Sequence, residues 1–128
     1  MEDTTETKDT FIKDTKVESS ILNSIKKLLG ISPTYTQFDS DIIMHINSVF
    51  MVLNQLGIGP SNGYFISGAD EQWADYISAD DNLEAIKTYV YLKVKVVFDP
   101  PLNSIVMEAH KQMIAEYEWR LNIQKEEK

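Results

Sequence analysis

The chain has 128 residues, no cysteine and a formal net charge of -8 at neutral pH. This length suffices for one folded domain with a real core, and the lack of cysteine excludes disulfides, thiolate zinc sites and cysteine catalysis. The acidic balance disfavours sequence-specific DNA binding, because it opposes the phosphate backbone, and the longest apolar stretch is too short for a membrane helix.

The first segment of the chain is polar. Residues 1–16, MEDTTETKDTFIKDTK, contain two apolar residues besides Met1. Such a segment buries too little apolar surface to offset the entropy lost on ordering. The sequence therefore predicts a flexible acidic arm over residues 1–16, a helical domain over residues 17–122 and a charged tail over residues 123–128.

Apolar residues at helical spacing predict a first helix that begins at Val17 and ends before Gly30. A second helix begins at the polar cluster Asp39-Ser40-Asp41, whose side chains can cap exposed amides and complement the helix dipole. Its apolar stripe runs to Leu56, and Gly57 is the predicted C-terminal cap.

A glycine-rich segment follows the second helix. The sequence GIGPSNGYFISG, residues 57–68, holds four glycines and one proline around the apolar run Tyr64, Phe65 and Ile66. This composition predicts a protruding loop or a short hairpin. A short turn of helix over residues 71–77, carrying Trp73, is predicted to follow.

The third long element is ambiguous, because TYVYLKVKVVF alternates well enough for an edge strand. Its apolar residues also hold helical spacing for four turns: Leu83, Ile86, Val90, Val94 and Val97. A single strand would have no evident partner. The length of the stripe therefore favours a helix over residues 82–98, which the pair Pro100-Pro101 ends.

A fourth helix is predicted from Asn103 or Ser104 to about residue 125, with apolar residues on two sides. Its main stripe is Val106, Met113, Ile114, Tyr117 and Leu121, and the opposite side carries Ile105, Ala115, Trp119 and Ile123. The second helix likewise carries Met44 and Met51 opposite its main stripe. A domain of this size can surround one helix completely, such as the third. It cannot also surround the second and fourth helices, so we expect another chain to cover some of their second stripes. Scattered surface apolar residues are the alternative.

The residues that could carry chemistry are few. The two histidines, His45 and His110, have no convergent partners in the sequence, and the glycine-rich loop lacks the spacing of a phosphate-binding loop. We therefore expect no catalytic residues, no metal site and no cofactor. The densest charged segment contains Asp70, Glu71, Asp75, Asp80, Asp81 and Glu84, which predicts either a solvated face or a functional acidic rim.

Several motifs occur in a recognisable order. They are LLGI at the end of the first helix, FDSDIIMHINSVF in the second, GIGPSNGYFI with a downstream tryptophan, an L-x-x-I-K-T-Y-V-Y-L-K-V helix, the FDPP break and EYEWRLN in the last helix. In combination, over residues 17–122, this order resembles the head-to-tail connector (adaptor) proteins of tailed bacteriophages and prophages.

The resemblance implies an all-α subunit, a small bundle of four main helices. Its copies would form a dodecameric ring beneath the portal of the DNA-filled capsid and extend the DNA channel. The implied partners are the portal protein, a tail or stopper protein and other copies of the chain, with DNA only as passing cargo and no membrane. The implied location is the neck of the virion, after assembly in the bacterial host cytoplasm, and the family has no catalytic residues.

The resemblance also suggests where partners bind. Candidates for portal or intersubunit contact are Ile105, Trp119, Arg120 and Ile123 on the fourth helix and Met44 and Met51 on the second. Tyr64 and Phe65 are candidates for a loop contact, and the acidic residues 70–84 are candidates for a rim or channel surface.

Two other functions remain possible from the sequence. A phage tail-completion protein or another helical interaction module would use the same two-sided helices without a ring. An enzyme is disfavoured, because no constellation of titratable residues is evident.

Overall fold

The structure, a computed structural model, describes the backbone of residues 19–77 and 82–127 and the side chains up to Ile123 in the second range. It contains five helices: α1 (Ile21–Leu28), α2 (Asp39–Gln55), α3 (Trp73–Tyr76), α4 (Leu83–Phe98) and α5 (Ser104–Glu127). No strand occurs in these two ranges, so the all-α prediction with four main helices is confirmed, and the glycine-rich segment is a loop. No described helix is long and apolar enough to cross a membrane. The predicted arm, residues 1–16, lies outside the described residues.

Glycines end both α1 and α2. Gly30 and Gly57 have φ angles of 81° and 84°, in the left-handed region that side chains disfavour. At the end of α2, Gly57 donates to the carbonyl of Asn54 and the next residue, Ile58, donates to the carbonyl of Leu53. This pair of hydrogen bonds defines a Schellman motif, and it confirms the predicted cap at Gly57.

The short helix α3 holds the glycine-rich loop against α1. Trp73 is buried, and its indole Nε1 donates to the Ser24 hydroxyl at 2.9 Å. Just before it, Ala69 accepts a hydrogen bond from the Ser20 hydroxyl at 2.8 Å, and Gln72 forms an isolated β-bridge with Ser20. The predicted turn of helix around Trp73 is thus confirmed, and its role is to fix the loop to the start of α1.

The central helix is α4, which packs against α2, α5 and α1. Both of its apolar sides are buried, with Ile86, Val90 and Val94 on one side and Tyr89 and Leu92 on the other. Among the described residues, α2 and α5 have few contacts with each other, so they flank α4 on different sides. The helical interpretation of residues 82–98 is confirmed. The inclusion of Val97 in the core stripe is wrong, because Val97 is exposed in the last turn.

The last helix is less buried than its pattern predicts. In the predicted core stripe of α5 only Ile114 and Leu121 are buried, while Val106 and Met113 are exposed, so their assignment to the core is wrong. With 24 residues, α5 is about 36 Å long, whereas its main neighbour α4 has 16 residues and is about 24 Å long. Val106 and Met113 lie about 60 to 100° around the helix from Ile114 and Leu121, on a side that α4 does not cover. Helix α5 also continues through residues 123–127, the segment predicted as a charged tail.

A buried lysine joins α1 to the start of α2. The Lys26 side chain is inaccessible to solvent, and its Nζ donates to the carbonyl oxygens of Pro33 at 3.2 Å and Tyr35 at 2.7 Å. The same Nζ lies 2.7 Å from a carboxylate oxygen of Asp39. Two hydrogen bonds and one ion pair thus satisfy the buried ammonium group. Asp39 lies in the first turn of α2, where its charge complements the helix dipole as predicted, and it also pairs with Lys26. Phe38 occupies the cap position of α2 without a side-chain hydrogen bond.

We expect Lys26→Met to lower the free energy of unfolding by about 3 kcal/mol, near the lower end of the range for breaking a buried ion pair, because Asp39 is partly exposed. Urea denaturation followed by circular dichroism measures this change. Lys111→Met is the matched control, because Lys111 is exposed on α5 and its replacement should change stability by less than about 0.5 kcal/mol. Equal effects of the two substitutions would contradict the structural role of Lys26.

Candidate interaction surfaces

The first candidate surface is the side of α5 that points away from α4. Ile105 and Trp119, which are about four helical turns apart and so lie on the same side, are 78% and 63% exposed. Between them Ala109, Gln112 and Ala115 are also exposed. We call this surface the α5 outer face, and its members are Ile105, Ala109, Gln112, Ala115, Trp119 and the half-buried Ile123. The exposed Glu108 lies on the same side, between the rows of Ala115 and Trp119, and is the acidic residue of its first half. Because these side chains are exposed, the predicted second stripe of this helix is uncovered by the described residues.

Two charged residues at the α5 outer face, Glu116 and Arg120, neutralise each other. Arg120 donates from Nη2 to the Glu116 carboxylate at 2.6 Å, one turn earlier in the helix. Both side chains are exposed, so the pair contributes little to stability. The ion pair leaves this part of the α5 outer face without net charge. Arg120 thus lies where the sequence places it, and its role as a contact residue stays a prediction.

The second candidate surface is a shallow groove on the outer side of α2. Met44 and Met51 are 58% and 54% exposed, and the largely exposed Phe65 of the glycine-rich loop lies beside them. The groove has a volume of about 430 Å³. We call it the α2 groove, and it is lined by Ser40, Ile43, Met44, Asn47, Ser48, Met51 and Phe65. Its lining contains no charged side chain.

An asparagine on α2 positions the wall of this groove. The Asn47 side chain accepts a hydrogen bond from the backbone N–H of Ile66 at 2.8 Å and donates to the carbonyl of the same residue at 3.0 Å. Ile66 is itself buried, so the two bonds and the buried side chain hold Phe65 next to α2. Asn47 was not among the residues predicted from the sequence. The available signal was an amide in the middle of an apolar helix, followed by an apolar run in a loop.

Tyr64 and Phe65 point in different directions, although they were predicted as one contact. The Tyr64 ring is half-buried and packs on Phe50 and Tyr76, with ring centroids 5.6 Å and 5.3 Å apart. Burial, aided by the charges of two nearby carboxylates, raises the pKa of Tyr64. The same Tyr76 ring lies close to the loop backbone at Gly59, where a Cβ atom would come within 2.5 Å of a ring carbon. Tyr64 therefore supports the loop from within, whereas Phe65 is largely exposed, and the contact role of both residues stays a prediction.

Two of the predicted acidic residues have local partners. Glu71 accepts hydrogen bonds from the backbone N–H and the hydroxyl of Ser67, at 2.7 Å and 2.9 Å. Burial disfavours the ionised form of Glu71, but these and further backbone hydrogen bonds outweigh it and lower the pKa of the carboxyl group. Asp75 accepts from the backbone N–H of Gln72 at 2.9 Å and so caps α3. Both carboxylates thus stabilise the loop and the short helix.

The remaining acidic residues do not form one cluster in the described structure. Glu84 is exposed at the start of α4, 3.6 Å from the ammonium of Lys87. Asp70 is exposed in the loop, and Asp80 and Asp81 lie outside the described residues. A common rim or channel surface for these residues therefore stays a prediction.

The histidines lie in separate surroundings. His45 on α2 packs against the ring of Phe98, with centroids 6.5 Å apart, and His110 is half-buried on α5. Within residues 19–77 and 82–123 no three histidine or carboxylate side chains come close enough to hold a metal ion. The α2 groove and the α5 outer face are the candidate functional sites, because their apolar side chains are exposed.

Comparison with known proteins adds one finding. A family model described as phage connector protein matches residues 21–128. The match begins at the first residue of α1 and includes both the α2 groove and the α5 outer face. No curated protein and no solved structure matches the chain.

We expect Asn47→Ala to lower the free energy of unfolding by about 1 to 3 kcal/mol, because it leaves the N–H and carbonyl of Ile66 without partners in a partly buried place. Chemical denaturation measures the loss. Asn54→Ala, at an exposed position of the same helix, is the control and should change stability little. A similar loss in both variants would show that the bonds to Ile66 are not important.

We expect Leu121→Ala to destabilise the chain by about 2 to 5 kcal/mol, as is usual for a buried leucine, whereas Trp119→Ala should change the stability by less than about 1 kcal/mol. The reason is that Leu121 is buried against the core and Trp119 projects from the opposite side of α5. Thermal or urea unfolding of the two variants provides the measurement. If both lost equal stability, the assignment of Trp119 to an outer face would be wrong.

Proposed function

The chain belongs to the phage connector protein family, and we propose from this membership that it is a head-to-tail connector of a tailed bacteriophage, joining the portal of the DNA-filled capsid to the tail or to a stopper protein. The family match over residues 21–128 is the observation that carries the proposal. Members of this family are structural proteins of the phage particle that interact with other head or tail proteins. The location follows from the role: the neck of the virion, after assembly in the host cytoplasm.

In this role, copies of the chain form a dodecameric ring that continues the DNA channel below the portal. The two apolar surfaces support an assembled state. A contiguous exposed apolar surface is uncommon on a monomer and usually marks an interaction site, and this small domain leaves two uncovered. The lining of the α2 groove is uncharged, as is typical of the core of a protein interface, and on the α5 outer face the charge of Glu116 is paired with Arg120.

The acidic balance of the chain suits a protein past which DNA must move. A net charge of -8 repels the phosphate backbone, so DNA passing through the ring would not be retained. Asp70 and Glu84 are exposed and are therefore candidates for the channel or rim surface. DNA is cargo in this proposal rather than a specifically bound ligand.

The proposal assigns binding rather than catalysis to the chain. The connector family is structural, and the surfaces that the fold leaves open are apolar. Binding energy in such interfaces is concentrated in a few aromatic and arginine residues. Trp119, with Arg120 beside it, is therefore the first residue to test.

The test is native mass spectrometry of the purified chain mixed with the portal protein of the same phage. We expect portal-bound rings with one copy of the chain per portal subunit. Trp119→Ala should weaken this assembly about thirtyfold, which corresponds to the roughly 2 kcal/mol of an interface hot spot.

Lys111→Ala, which changes an exposed residue elsewhere on α5, should leave the assembly unchanged. Binding to a tail protein without any binding to the portal would overturn the proposal. That result would identify a tail-completion protein instead.

A further inference from the structure

We propose that the α5 outer face of one copy binds in the α2 groove of the next copy, with Trp119 placed against Met44 and Met51. This inference rests on the proposed ring and specifies the contact between its subunits. It commits the groove to a second copy of the chain rather than to the portal or to another segment of the same chain.

The position of α4 supports this pairing. Helices α2 and α5 both pack on α4 and have few contacts with each other, and each presents its open surface away from α4. One copy therefore carries two different apolar surfaces on two different sides. Contact between unlike surfaces is head-to-tail and continues from copy to copy, so it closes into a ring when the rotation permits. Pairing of one face with itself would end at a dimer.

Charge supports the same pairing. Copies with a net charge of -8 repel one another, so their contact is favoured where charges are absent or balanced. The α2 groove is lined by apolar residues, two serines and an asparagine. Around Trp119 the α5 outer face carries Ala115 and Ile123, and the charges of Glu116 and Arg120 there are paired. The exposed Glu108 lies about 16 Å away, toward the start of the helix. The half of the face around Trp119 can therefore meet the groove without burying an unpaired charge.

The shapes and side-chain types are complementary as well. Trp119 projects from a helix whose neighbouring positions on the same face include Ala115, a small residue that permits close approach of another helix. The groove offers two flexible methionines, whose thioethers pack well against the edges of aromatic rings. Asn47 holds Phe65 in place as the side wall, so this part of the groove is formed before a partner binds. A preformed wall reduces the entropy cost of association.

The absence of cysteine from the chain permits a clean test by disulfide trapping. Ser48→Cys places a thiol at the edge of the α2 groove, and Gln112→Cys places one on the α5 outer face; both positions are exposed. The variants are assembled on the portal, singly and as an equal mixture, and then oxidised. We expect disulfide-linked dimers from the mixture and none from either variant alone. The double variant should give a ladder of linked copies.

The control pairs Ser48→Cys with Lys111→Cys, because position 111 lies on α5 outside the outer face. Disulfide geometry is restrictive, so we expect the Ser48→Cys and Gln112→Cys mixture to exceed the control yield about tenfold. Dimers formed by Gln112→Cys alone would show that α5 pairs with α5 and would overturn the proposal. Control-level yield in portal-bound rings would also overturn it while the proposed function stands. Absence of any ring on the portal would overturn both.

A photoreactive maleimide on the Ser48→Cys variant identifies the occupant of the groove directly. Mass spectrometry of the linked product should show peptides from α5 of a second copy. A link to the portal, or to residues 1–18 of the same chain, would assign the groove to that partner and contradict the pairing.

Discussion

The burial of α4 on two opposite sides is the constraint on which the rest of the structure depends. A helix with Val90 on one side and Tyr89 on the other needs a neighbour on each, and α2 and α5 fill these places. The two neighbours are thereby kept apart, and the outer side of each is left to solvent. A three-layer arrangement of single helices has no further layer to cover them. The open apolar surfaces are thus a consequence of how the core is built.

The connections between helices are fixed by a few polar interactions rather than by the core alone. Lys26 ties α1 to the segment that leads into α2, and Asn47 ties α2 to the glycine-rich loop. Each polar group is paired with backbone atoms of a segment that has no regular structure. These polar interactions add to the packing of the loops' own apolar side chains, such as Ile66 and Tyr64. The glycine-rich loop depends most on such polar interactions, because its Phe65 is exposed and contributes little to the core.

Helices α1, α2 and α4 could be predicted from the sequence because each has an apolar period and is followed by a glycine or proline. Even the ambiguous α4 was resolved by the length of its stripe. The depth of burial could not be predicted, because periodicity shows which side of a helix is apolar but not how far its neighbours extend; Val106 and Met113 on α5 are the example. Lys26 and Asn47 were missed for a different reason. Their partners are backbone atoms of loops, which leave no pattern in the sequence.

The narrow attachment of α5 has a consequence for how such a protein changes over time. Ile114 and Leu121 are the buried residues that α5 contributes to the described core, so most of the circumference of this long helix is free of any folding requirement. Mutations there can accumulate with little effect on the stability of the subunit. The exposed surface of α5 can therefore change together with the partner surface that it contacts. Related proteins with the same fold can then come to bind only their own partners.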